Sequence, residues 1–215
     1  MPLMMRNPRM GIDRAAKAAA LLAAETAYRS IGVCAGIDEA GRGPLAGNVT
    51  AACVIMPPEP LIAWVDDSKK LSEKRRERVY DDIVRTALHI GIGTASAKEI
   101  DRINILEATR LAMRRAAEKV PADVYLVDAV QRLGLSGNEI AIVHGDAVSY
   151  SIAAASIVAK VTRDREMKRL HALYPAYGFD QHKGYGTAKH IAALRLHGPS
   201  PIHRRSFIGH LIDNP

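Results

Sequence analysis

Four carboxylates and one glycine-rich turn carry the chemistry of this 215-residue chain. The run Gly36-Ile37-Asp38-Glu39-Ala40-Gly41-Arg42-Gly43-Pro44-Leu45-Ala46-Gly47 ends an apolar stretch in two adjacent acids and then turns at once. Asp128 closes the apolar run Val124–Val127, and Asp146 follows Ile140–Val143 closely. Ligands of open α/β sheets collect at strand ends, and acids gathered there repel one another unless cations neutralise them. Carboxylate and water ligands suit Mg2+ or Mn2+. The sequence has no Cys/His cluster with zinc-ligand spacing. Two such ions suit in-line displacement at a phosphodiester, one activating water and the other stabilising the departing oxygen. Glycines let a backbone approach a ligand closely, and arginine grips phosphate. The competing reading makes the acids helix caps or surface charges. Asp146, which follows Gly145 and opens a helix, fits a cap equally well, but all four would have to be innocent separately.

The elements that must position these groups follow from periodicity and punctuation. Residues 1–10 read as frayed, and a helix runs from about Asp13 to Arg29, stopped by Gly32. Strands cover 33–38 and 49–56, joined through the glycine-rich turn. Pro57, Pro58 and Pro60 break the chain, and Ser72 caps a helix to about Thr86. A strand over 87–97, a helix over 103–119, and short buried strands over 124–127 and 140–143 follow. The chain is then helical from Ser151 to about Leu170, with the small apolar run Ala153–Ala159 packing on a sheet. It forms an aromatic loop over 171–186, is helical again over 187–196, and ends in a basic tail. This is an α/β pattern without repeats or linkers. It reads as a helical N-terminal extension, 1–32, and one catalytic domain, 33–215, with a helical C-terminal appendage.

Composition agrees with a globular chain: 48% hydrophobic and 25% charged residues. The net charge of +7 suggests a polyanionic partner. Cys34 and Cys53 lie in apolar runs and read as buried free thiols, which fits the reducing cytoplasm. No segment approaches the ~20 apolar residues of a membrane span. The alanine-rich stretch 15–27 carries or adjoins Arg14, Lys17 and Glu25, which makes it an amphipathic helix rather than a signal peptide. In the absence of heptads, a monomer is expected.

The ordered motifs resemble the type 2 ribonucleases H, specifically the bacterial ribonuclease HII family. They are Asp38–Gly47; Asp67-Ser68-Lys69-Lys70-Leu71-Ser72; Val127-Asp128; Gly145-Asp146; Ala153–Asp164; Tyr177-Gly178-Phe179; His182-Lys183-Gly184-Tyr185-Gly186-Thr187; and His203-Arg204-Arg205-Ser206-Phe207. The resemblance implies a ribonuclease H-like fold, a mixed five-stranded sheet flanked by helices with a helical C-terminal region. It implies an endonuclease that cleaves RNA in RNA–DNA hybrids and incises 5′ of single ribonucleotides in duplex DNA, leaving 3′-hydroxyl and 5′-phosphate ends, as in DNA replication and repair. It implies two Mn2+ or Mg2+ ions held by Asp38, Glu39, Asp128 and Asp146. It also implies that the backbone of Gly41, Arg42 and Gly43 reads the ribose 2′-hydroxyl, which separates RNA from DNA, and that Tyr185 packs on the neighbouring sugar.

The basic residues Lys69, Lys70, Lys160, Arg163, Lys183, Arg204 and Arg205 are candidate phosphate contacts. Arg163 with Asp164 is alternatively a local ion pair, and His182 and His203 are candidates for the substrate groove. The chain departs from the family pattern at Asn48, where proline is common, at Ala129 after Asp128, where glycine is frequent, and at His144, where lysine is common. A non-catalytic hybrid-binding module would explain the basic charge and the glycine turn but not four acids at strand ends. A nuclease indifferent to ribose would leave the Gly-Arg-Gly turn and Tyr185 without a role.

Overall fold

The computed structural model describes residues 8–66 and 68–212. Five strands, β1 (Cys34–Ala40), β2 (Val49–Ile55), β3 (His89–Ala95), β4 (Val124–Asp128) and β5 (Asn138–Ile142), form one sheet in the order β3-β2-β1-β4-β5. β1, β2 and β3 are antiparallel, whereas β4 and β5 run parallel to β1. β1 and β2 lie centrally and are buried almost throughout, so they read as continuous apolar runs. Cys34 and Cys53 are buried free thiols within them, and burial raises the pKa of both.

The helices are α1 (Pro8–Ala24), α2 (Thr26–Arg29), α3 (Glu73–Thr86), α4 (Ala97–Ala117), α5 (Gly145–Val148), α6 (Tyr150–Leu173), α7 (Phe179–His182), α8 (Ala188–His197) and α9 (Arg205–Ile212). α6 covers one face of the sheet, with α3 and α1 packed beside it, and α4 covers the other. The small run Ala153–Ala159 is buried against the sheet. Gly36 permits that contact: a Cβ there would come within 2.1 Å of the Ser151 backbone.

Several boundaries differ from the sequence reading. Residues 1–7 of the expected frayed N-terminus lie outside the described residues, and Pro8–Met10 already belong to α1. The single helix expected over 13–29 is two, broken at Glu25, whose side chain is turned inward to α6. α4 begins at Ala97 rather than 103, because Ser96 and Glu99 form a capping box. The expected start coincides with a kink at Asn104 (φ 65°), whose side chain caps the second half by accepting from Leu106 N and Glu107 N. The loop expected over 171–186 is largely helical, since α6 runs on to Leu173, a 3-10 turn spans Pro175–Tyr177, and α7 follows. The basic tail contains α9. Its first amides, Arg205 N and Ser206 N, are capped at 2.9 Å by Asp101 of α4, a distant residue that local sequence does not reveal.

Candidate active site

β1 and β4 bring the first three acids together. Their parallel register pairs Ile37 with Val127, so the next residues, Asp38 and Asp128, stand side by side at the same sheet end. Gly36 faces α6, and side chains two apart on a strand share a face, so Asp38 also faces α6. The short α5 ahead of α6 carries Asp146, and the preceding amide, Gly145 N, donates to Asp128 Oδ1 at 2.7 Å. Glu39 N donates to Asp38 Oδ1 at 2.6 Å.

The four carboxylates strain electrostatically against one another. Burial, then the charges of Glu39 and Asp128, raise the pKa of Asp38 well above the ordinary carboxylate range. Burial also raises Glu39, against the opposing pull of Arg42. Asp128 is raised by burial and, beyond the countervailing Gly145 amide, by the Asp146 charge. Glu39 Oε2 is buried without a hydrogen-bond partner. Two cations stand at the rim: Arg42 Nη1 lies 3.5 Å from Glu39 Oε1, and the exposed Lys69 places Nζ 3.5 Å from Asp146 Oδ2. Among the described residues no three His, Cys, Asp or Glu side chains enclose a metal-sized point, so the acids form an open cluster. An all-oxygen donor set, mutually repelling and with one orphaned buried oxygen, fits hard divalent cations.

Beside the acids, the Gly41–Asn48 turn is built around two buried guanidiniums. Arg204, fully buried, donates to the carbonyls of Gly41, Arg42 and Gly47 at 2.6, 2.8 and 3.0 Å. Arg163, 1% exposed, donates to those of Ala46, Asn48 and Lys183 at 3.2, 3.1 and 3.0 Å. These two side chains were candidate phosphate contacts. The structure corrects that expectation, because both are desolvated and each donates to three main-chain oxygens. Asp164, the alternative partner of Arg163, pairs instead with Lys160 at 2.7 Å and Arg76 at 3.9 Å. Lys183, also a candidate contact, is buried and donates to the Asp180 carbonyl. Lys160 keeps a partly exposed side chain, 6.0 Å from the Tyr185 ring.

Gly41 and Gly43 have different reasons to be glycine. Gly41 has φ +97°, and a Cβ there would meet Arg163 Nε at 2.0 Å, so the clamp itself forbids a side chain. At Gly43 the nearest atom to an added Cβ is Tyr185 Cε1, 3.8 Å away. The fold has room there, and the space faces the half-exposed Tyr185 ring. Leu45 N, donating to Gly184 O at 2.8 Å, ties the turn to the loop that presents Tyr185.

Ala129 and His144 keep left-handed backbones, φ 51° and 56°, on either side of the acids. His203 is buried behind the turn rather than lining a groove. Two residues that sequence reasoning did not single out stand behind the site. Glu25, almost fully buried, accepts from Ser149 Oγ, Ser151 N and Ser151 Oγ at 2.5, 2.6 and 3.0 Å, just after Asp146, and pairs with Arg29 at 2.9 Å. His190 accompanies His203 behind Tyr185. The role of Glu25 at α6 gave no local signal, since Ser149 and Ser151 lie more than 120 residues away.

Residues 35–210 match the family model described as Ribonuclease HII. The chain is 56% identical over 189 residues to the Ribonuclease HII of Geobacter sulfurreducens, covering 87% of this chain and 86% of that protein. It is 55% identical over 185 residues to the Ribonuclease HII of Delftia acidovorans, covering 84% and 79%. Among solved structures, the ribonuclease H2 of Pyrococcus horikoshii OT3 superposes with a TM-score of 0.71 at 25% identity, over 84% of this chain and 97% of that one. The RNase HII of Archaeoglobus fulgidus, solved in complex with PCNA, gives 0.70 at 26% identity over 83% and 96%. The mixed sheet, the acids at its carboxyl edge and these matches agree: the chain belongs to the ribonuclease HII family, metal-dependent endoribonucleases that act on RNA–DNA hybrids.

Proposed function

We propose that this chain, beyond cleaving the RNA of hybrids, incises duplex DNA on the 5′ side of a single embedded ribonucleotide, leaving 3′-hydroxyl and 5′-phosphate ends. The observation that carries the reading is the adjacency of two unlike surfaces: the carboxylate cluster of Asp38, Glu39, Asp128 and Asp146, and the open gap between Gly43 and Tyr185. When bound, two Mg2+ or Mn2+ ions would supply an activated water and charge stabilisation for the departing 3′-oxygen. Asp38 and Asp128, neighbours in register, would be the shared ligands, with Glu39 and Asp146 on the flanks.

The protein's own part is positioning. The Gly41–Gly43 backbone, its carbonyls fixed by Arg204, offers a rigid surface for the 2′-hydroxyl. A Cβ at Gly43 would intrude there. Tyr185 packs on the adjoining sugar, and a chain lacking the hydroxyl leaves buried polar groups unmatched, which gives selectivity. Lys69, exposed with its Nζ 3.5 Å from Asp146 Oδ2, is the first candidate for a phosphate contact. Lys160 neighbours Tyr185 and is the second candidate for a phosphate contact. The enzyme would work on these duplexes as a monomer in the cytoplasm.

The test compares an all-DNA duplex with one carrying a single ribonucleotide, with and without Mg2+ or Mn2+, in the wild type and in Asp38→Asn. Cleavage should require both the metal and the ribonucleotide and should vanish in Asp38→Asn while the circular dichroism spectrum is kept. Full activity in the variant, or equal cutting of the all-DNA duplex, refutes the reading.

A further inference from the structure

Behind the loop that presents Tyr185 lies a buried group of rings. His190 and His203 are 0% and 2% exposed. His182 stacks on His190 with centroids 4.5 Å apart, and Phe179 meets His190 edge-on at 5.4 Å. Tyr177 and Phe179 stack at 5.4 Å, and both lean on His203.

Hydrogen-bond chemistry fixes the proton on each imidazole. His190 Nδ1 lies 2.9 Å from the Tyr185 carbonyl, which can only accept, so Nδ1 carries the hydrogen. In a neutral ring Nε2 must then accept, and its partner is His203 Nε2 at 3.0 Å. His203 therefore donates from Nε2 and must accept at Nδ1. There it receives the Ser200 amide at 3.0 Å and the Ser200 hydroxyl at 2.8 Å. His182 is fixed in the same way: Nε2 donates to the Tyr177 carbonyl at 2.7 Å, and Nδ1 accepts from Gly184 N at 3.2 Å. One proton order alone satisfies the chain, running from Ser200 through His203 and His190 to the Tyr185 carbonyl. A further proton on His190 Nε2 or His203 Nδ1 would set two donors face to face.

The chain ends on the tyrosine's own main chain. The Tyr185 carbonyl also accepts from Thr187 N at 2.8 Å, and Tyr185 N donates to the His182 carbonyl at 2.9 Å. The loop is thus pinned from both sides, and through Gly184 O it is joined to the glycine turn. The surroundings disfavour an added proton. Lys183, Arg163, Arg204 and Arg205 are cations on the elements packed around the rings, Tyr177 and Tyr185 are the phenols beside them, and His197 is edge-on to Tyr177. Asp180, on α7, faces His171 at 3.4 Å. Burial lowers the pKa of His190, and burial lowers that of His203 to about 4, helped by the repulsion a proton on His190 would add.

We infer that His190, relayed by His203, is a positioning residue for Tyr185: a neutral, proton-ordered chain that holds the tyrosine's main chain where its ring can meet the ribonucleotide's sugar. The inference rests on the proposed contact of Tyr185 with substrate, but its structural half is measurable without substrate.

Long-range 1H–15N correlation on the full chain, labelled at histidine, reads the tautomers. His190 should carry its proton on Nδ1, and His182 and His203 on Nε2, with His190 and His203 neutral at pH 7. A reversed tautomer at His190 or His203, or a cationic His190 at pH 7, overturns the chain. The second arm is kinetic. His190→Phe keeps a ring against Phe179 and His182 but cannot donate, and His190→Asn can still reach the Tyr185 carbonyl. His190→Phe should raise KM for a single-ribonucleotide duplex about tenfold, the cost of one buried hydrogen bond, with kcat within about twofold. His190→Asn should recover most of that loss. An unchanged KM in His190→Phe, or a fall in kcat alone, refutes the positioning role. A wild type that ignores single ribonucleotides refutes the substrate reading instead and leaves the tautomer result standing.

Discussion

Replacing Arg204 by methionine tests whether the glycine turn is held by its buried guanidinium. Methionine roughly fills the volume but donates nothing. Three carbonyls, of Gly41, Arg42 and Gly47, would lose partners now at 2.6–3.0 Å, the first and last of them in buried bonds and that of Arg42 in a partly buried one. Each buried polar group left unsatisfied costs about 1–3 kcal/mol. The desolvation of the Arg204 charge, which lowers its pKa, is relieved by the same change and offsets part of that loss. A net destabilisation of about 3–5 kcal/mol follows, within the range for breaking a buried charged network. At this chain length each kcal/mol moves Tm by roughly 2–4 °C, so the midpoint should fall by about 10 °C. Arg205, next in sequence but exposed, is the control, and its methionine variant should stay within about 0.5 kcal/mol of wild type. Calorimetry gives the midpoints. Cleavage of single-ribonucleotide and all-DNA duplexes, well below the variant's Tm, shows whether discrimination falls with the turn. An Arg204→Met midpoint within 2 °C of wild type would refute the clamp, and a large drop with discrimination intact would separate stability from recognition.

Other substitutions divide the site further. Gly43→Ala should leave Tm within about 2 °C, because its Cβ meets only Tyr185 at 3.8 Å, yet raise KM for ribonucleotide-containing duplexes. Gly41→Ala, strained at φ +97° and blocked by Arg163, should cost about 2 kcal/mol or more in chemical denaturation. Glu25→Gln should lower stability by about 2 kcal/mol by removing the charge that binds Arg29 and caps α6, and should weaken metal binding measured by calorimetric titration, since α6 follows directly on Asp146. Asp128→Asn should abolish metal-dependent cleavage yet raise the Tm of the metal-free protein by about 2–4 °C, roughly 1 kcal/mol of relieved repulsion. The sign follows from linkage. The pKa values of Asp38, Glu39 and Asp128 are raised in the fold, so above the ordinary carboxylate range the folded state holds more protons than the unfolded, and stability falls as pH rises through that window. The gain should therefore be larger at pH 8 than at pH 5; equal gains at both would contradict the assigned repulsion.

What sequence revealed and what it hid divide along one physical line. Strand ends, capping residues and the glycine turn act on near neighbours, so Asp38, Glu39, Asp128 and Asp146 could be placed on strand and helix ends from local pattern alone. The Ser96–Glu99 box was equally local but was not read, which put the start of α4 six residues late. Groups that act across the fold left no local trace. Glu25 caps a helix more than 120 residues away, Asp101 caps α9 from α4, and Arg163 and Arg204 gather carbonyls from the Gly41–Asn48 turn. A lysine or arginine next to a catalytic motif reads as a phosphate contact because its charge is visible in sequence and its burial is not.

That division explains how the site tolerates its own charge. Carboxylates held close enough to repel, with Glu39 Oε2 unpartnered, weaken the metal-free fold at the point where they meet. They stay there because each is carried by an element anchored elsewhere: Asp38 and Glu39 by a buried central strand, Asp128 by the strand parallel to it, and Asp146 by a turn leading into α6, whose N-terminus Glu25 binds. The proposed recognition side follows the same plan with opposite charge, since two buried arginines fix the turn and three histidines back the loop facing it. In the proposed reading, neither group needs to touch nucleic acid to shape the surface that meets it. Were the acids themselves responsible for holding the strands together, neutralising one would loosen the fold. The opposite outcome, a firmer metal-free protein with no catalysis, is what a scaffold that keeps its repulsive site open for cations requires.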